Sequence, residues 1–68
     1  MIKIIDPQGK ERNVKDLSIV THDVSSEEGE VTQEKFVQVT VIGNHREWIN
    51  WYLLRDFRKL NPGVELNE

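Results

Sequence analysis

The sequence predicts a mainly β domain: a small, curled antiparallel sheet of four to five strands with a short helix near the C-terminus. Three observations carry this. Eight valines and six isoleucines stand against five leucines and no alanine. Branching at Cβ suits a pleated strand, and the lack of the best helix former points the same way. Val37, Val39 and Val41 in "KFVQVTVI" recur at period two, the spacing of one strand face. "NPG" at Asn61–Gly63 stops any helix before it, because Pro62 disfavours helical backbone at Asn61.

The elements follow in order. "IKII" (Ile2–Ile5) reads as a short apolar strand, and "DPQGK" after it as a turn marked by Pro7 and Gly9. "ERNV" continues extended, anchored by Val14. "LSIVTHDV" (Leu17–Val24) lacks helical spacing and reads as a strand, with Leu17 and Ile19 on one face and Val20 and Val24 on the other. "SSEEGE" is a polar loop and the best candidate for a mobile segment. "KFVQVTVI" places its three valines toward the core and Phe36, Gln38, Thr40 and Ile42 on the opposite, half-apolar face. Val64 and Leu66 form a last short strand or pack as an extended tail.

Residues 45 to 60 admit two readings. As one helix they would give an α+β domain with a three-stranded sheet. Asn44 and Glu47 fit a capping box, but the apolar residues spread almost all round the wheel and leave no clean stripe. The favoured reading splits the segment into a hairpin turn at Gly43–Asn44, a returning strand "REWINWYLL", and a helix from about Leu54 to Leu60. Arg58 and Lys59 near its end complement the helix dipole.

Hairpin register decides which tryptophan is buried. A two-residue turn sets Trp48 opposite Val39. A three-residue loop, Gly43–Asn44–His45, sets Ile49 opposite Val39 and Trp51 opposite Val37. The second gives the more apolar face, so Trp51 is expected in the core, with Trp48 and Tyr52 on the other face beside Phe36 and Thr40.

Residues 1–68 make a single small domain, and a chain this short buries only about 60% of its unfolded surface. There is no cysteine, hence no disulfide framework and no thiolate metal site. Net charge is −3, an ordinary solvated surface. No apolar run is long enough for a signal peptide or a membrane span. The expected setting is cytoplasmic, without a membrane.

Catalytic constellations are missing. No serine occupies a nucleophile elbow, His22 and His45 lack metal spacing, and the glycines are isolated rather than gathered in a phosphate loop. No enzymatic activity, no cofactor and no metal are expected. The local charge of residues 45 to 60 is +2 against −5 for the rest. Single-stranded nucleic acid bound through the Arg/Trp/Tyr segment 46–59 is the alternative function, disfavoured by the acidic whole.

The order of polar loop, valine hairpin, Trp/Tyr strand and helical turn is loosely similar to that of small SH3-like barrels. Such a likeness concerns the fold, and function is not inherited from it. The expected function is a non-catalytic module for protein binding or assembly. Its candidate partner-binding residues are Arg46, Trp48, Tyr52 and Arg55, because aromatic and arginine side chains dominate binding hot spots. Edge strands of so small a sheet are also open to an added strand.

Overall fold

The computed structural model describes residues 2–66 of the chain. It contains β1 (Ile2–Ile5), β2 (Glu11–Ser25), β3 (Val31–Ile42), β4 (Glu47–Leu53) and α1 (Leu54–Leu60). The strands form one antiparallel sheet in the order β1-β2-β3-β4, curled into a half-barrel with one short helix. The sheet does not close, so β1 and β4 are both edges. Residues 61–66 add no strand. Val64 and Leu66 instead pack as a tail against the core.

The first two hairpins use the same turn. Asp6 and Ser26 each accept a backbone bond from the glycine three residues on, Gly9 and Gly29. Both glycines have φ of 83°, a backbone that glycine adopts without strain. Each turn is locked by the side chain of its first residue. Asp6 Oδ1 accepts from the N–H groups of Gln8 and Lys10, and Ser26 Oγ from that of Glu30. The segment "SSEEGE" is therefore a tight, internally bonded turn as well as a polar one.

The concave face of the sheet holds the core. Ile4, Val14, Val37, Val39 and Val41 are buried there, and Leu54 and Phe57 of α1 close one end. A bulge between Val14 and Asp16 bends β2, since an extra residue increases local twist. Leu17 and Ile19 face inward and pack on this core. Asn61 holds the helix end to β1: its Oδ1 accepts from the Ile5 N–H at 2.6 Å, and its Nδ2 donates to the carbonyls of Ile5 and Phe57.

The β3–β4 register differs from both expected ones. Ile42 pairs with Glu47, Val41 with Trp48, Val39 with Asn50 and Val37 with Tyr52. The loop therefore has four residues, Gly43–Arg46, with His45 at φ 67°. Trp51 is not in the core. It lies on the convex face, 52% exposed, with Ile49 at 48%, and its Nε1 donates to Gln38 Oε1 at 3.0 Å. Trp48 and Tyr52 lie on the valine face rather than beside Phe36 and Thr40. The physical reason is the helix. Phe57 stacks on Tyr52 with ring centres 6.3 Å apart, so Tyr52 gains a buried partner that counting apolar residues along β4 does not reveal. The alternative of one helix over residues 45–60 does not form, because α1 begins only at Leu54.

Candidate functional site

A strand places alternate residues on one face, so β4 presents Trp48, Asn50 and Tyr52 together on the concave side. The β1–β2 turn stands across from them at the open seam of the half-barrel. Between them lies a shallow cleft of about 290 Å³ lined by Asp6, Pro7, Gln8, Arg12, Trp48, Asn50 and Tyr52. Both rings are half-buried. They pack on the core from one side and line open space on the other.

Asn50 ties the two rings together. The amide orientation that satisfies its neighbours has its oxygen accepting from Trp48 Nε1 and its nitrogen donating to the Ile49 carbonyl, both at 3.2 Å. The Tyr52 hydroxyl is 3.3 Å from the same amide. The cleft floor is thus a continuous Trp–Asn–Tyr seam whose rings are held in place by a polar group between them.

The opposite wall is an ion pair. Arg12 Nε donates to Asp6 Oδ2 at 3.1 Å. The Lys10 N–H foremost, with Arg12 and the Gln8 N–H, holds the Asp6 carboxyl below its ordinary range despite burial, which acts the other way. Asp6 is therefore a charged structural anchor with its oxygens engaged. Arg12 is half-buried, and one guanidinium has five N–H donors, more than this pair uses.

The four sequence-predicted residues do not form one cluster. Arg46 lies over the Trp48 ring at 5.0 Å, a cation–π contact at the loop end of β4. Trp48 and Tyr52 line the cleft. Arg55 is on α1, paired at 3.8 Å with Asp56, at the other end of a seven-residue strand that spans about 20 Å. It lines a separate shallow depression with Gln33, Glu34, Lys35, Leu53 and Leu54. Asp6, Pro7, Gln8, Asn50 and Arg12 complete the cleft and were not singled out by sequence. They are far from β4 in the chain, or polar without a motif, and only the fold brings them together.

His22 packs edge-on against Phe36 on the convex face, and His45 sits in the β3–β4 loop. Neither lines the cleft. Among the described residues no group of three or more His, Cys, Asp or Glu side chains is placed to hold a metal ion, and no helix is long and apolar enough to cross a membrane. No family model, no curated protein and no solved structure matches this chain.

Proposed function

We infer that the protein is a non-catalytic binding module whose seam cleft takes an extended segment of a protein partner. One observation carries the reading: two large rings, Trp48 and Tyr52, are fixed side by side on β4 and open onto a cleft that Pro7 and Arg12 complete. Rigid aromatics grip apolar or proline-containing backbone with little entropic loss, as in grooves that hold polyproline-type segments. Arg12 supplies donors for a carboxylate or a carbonyl on the same segment. A cytoplasmic adaptor role is consistent with this chemistry.

Single-stranded nucleic acid is less well supported. Such ligands need cations lined up beside stacking rings, whereas Arg46 and Arg55 lie at opposite ends of β4 and Asp6 sits in the cleft wall.

The test is a titration of proline-containing peptides, with and without glutamate, followed by backbone and indole NMR shifts. Perturbation of the Trp48 indole, Asn50, Gln8 and Arg12 is expected. Shifts confined to other surfaces, or none at millimolar peptide, would sink the reading. A parallel titration with a single-stranded DNA oligonucleotide at low salt should be flat.

A further inference from the structure

β1 covers β2 only from Glu11 to Val14. Beyond the bulge at Lys15, among the described residues, no strand pairs with the outer side of β2. β4 likewise reaches β3 only as far as Phe36, so the distal β2–β3 hairpin projects as a two-stranded arm. Every residue from Thr21 to Gln33 is exposed, and the molecule is 41 Å in its longest dimension.

The direction of the unpaired groups follows from the turn. Bonded and unbonded pairs alternate along an antiparallel ladder. Ser26 donates to the Glu30 carbonyl, so this pair is bonded. Val24, His22, Val20 and Ser18 therefore bond β3, while Ser25, Asp23, Thr21, Ile19 and Leu17 turn their N–H and C=O groups to the outer edge, where Glu65 and Leu66 of the tail border a shallow depression with Leu17, Ser18 and Ile19. Between Asp16 and Ser25 there is no lysine and no proline, two of the residues with which sheet edges are commonly guarded.

Charge selects the occupant. Residues 21–35 carry five carboxylates, Asp23, Glu27, Glu28, Glu30 and Glu34, against Lys35 alone, a net −4 within a chain of −3. The rest of the chain is thus net +1, and at the opposite end of β2 Lys3, Lys10, Arg12 and Lys15 stand among Asp6, Glu11 and Asp16, also net +1. The hairpin tip is strongly acidic, whereas the base is close to neutral and offers Lys15 and Lys3 as cations. Antiparallel pairing with a second copy sets each tip beside the other's base.

We propose that the protein forms a two-fold dimer through the outer edge of β2, joining two half-barrels into one eight-stranded sheet. β1 blocks the edge up to Val14, so the partner's turn must stop near Lys15. This places the two-fold axis at Thr21, with Thr21 opposite itself, Ile19 opposite Asp23 and Leu17 opposite Ser25. Outward groups then meet outward groups throughout, and no like charges are directly opposed. Glu27 of each copy comes beside Lys15 and Lys3 of the other. None of the residues from Leu17 to Ser25 lines the seam cleft.

Sedimentation equilibrium of the full chain tests this. A dimer of twice the 8.0 kDa chain mass is expected at low salt, weakening as salt screens the tip-to-base contacts. Thr21→Pro removes an outward N–H without touching a β3 bond, and should abolish the dimer while the circular dichroism of the sheet is retained. Lys15→Glu should weaken dimerisation about tenfold, the effect of losing a charge pair worth about 1.4 kcal/mol, and adding Glu27→Lys should restore it. Should the proline variant lose its sheet signal, the charge pair decides alone. A monomer at all concentrations in low salt overturns the proposal. So does a dimer unchanged by Thr21→Pro in a folded protein, or by the charge reversal.

Discussion

Gly43 and Trp48 are fitted to one another: a Cβ at position 43 would stand 2.5 Å from Cζ3 of the Trp48 ring and 3.0 Å from its Cη2. The absence of a side chain in the loop is what lets the indole fold back over it. Gly43→Ala must push the ring toward the cleft or distort the loop. Overpacking of this kind costs about 1–3 kcal/mol. A lowered denaturation midpoint together with a shifted tryptophan emission is expected. An unchanged emission spectrum would refute this account of the glycine.

His45 should gain from relief. It is the non-glycine residue with positive φ among those described, and left-handed backbone costs an L-residue about 1–2 kcal/mol. His45→Gly removes that cost but adds entropy to the unfolded chain. The expected net is a stabilisation of about 0.5–1 kcal/mol, read from the urea midpoint.

Asn61 satisfies both backbone groups of Ile5 and the carbonyl of Phe57 while buried. Asn61→Leu leaves the N–H and C=O of Ile5 without their partner, each costing about 1–3 kcal/mol where water cannot reach, while the Phe57 carbonyl keeps the backbone N–H of residue 61. The expected loss is about 2 kcal/mol or more, with early hydrogen exchange at Ile5. Full retention of Ile5 protection would show that β1 does not depend on this side chain.

Asp6 makes stability depend on acid. The Lys10 N–H, Arg12 and the Gln8 N–H favour its charged form, so its pKa falls on folding. Its contribution is complete above the ordinary carboxylate value of about 4. It is lost as pH drops through the lower folded value, because the unfolded chain binds the proton first. Asp6→Asn should flatten this part of the acid limb in pH-dependent denaturation. A variant limb parallel to the parent's would exclude Asp6 as its source.

The two tryptophans should respond differently to removal. Trp51 is half-exposed and bonds Gln38 on the convex face, so Trp51→Ser should change stability by less than about 1 kcal/mol. Trp48→Ala withdraws a ring that packs on the core and should cost about 2–3 kcal/mol, somewhat below the value for a fully buried aromatic. Equal effects at the two positions would contradict the observed register.

What could be read along the chain was local. Period-two valines, β-branched composition, the turns at Pro7–Gly9 and Gly43–Asn44, and the stop at Pro62 each act over a few residues. They place β1, β4 and α1 closely, give β3 only from Lys35 where the strand begins at Val31, and identify Val37, Val39 and Val41 as core. β2 reads as two pieces in the sequence, because the bulge at Lys15 and the polar residues around it break the alternation that marks a strand.

The sequence by itself therefore determined that this is a β domain with a valine-faced sheet and a short terminal helix, since those features follow from backbone sterics and spacing. Only the tertiary structure decided which face of β4 is buried and where a cleft forms. Ile49–Trp51–Leu53 is the more apolar set, yet Trp48–Asn50–Tyr52 turns inward. The reason is that Gly43 makes room for one ring and Phe57, several residues further along, stacks on the other. Burial depends on which partner arrives from elsewhere in the chain, and neither the four-residue loop nor the position of α1 is written in the pattern of β4.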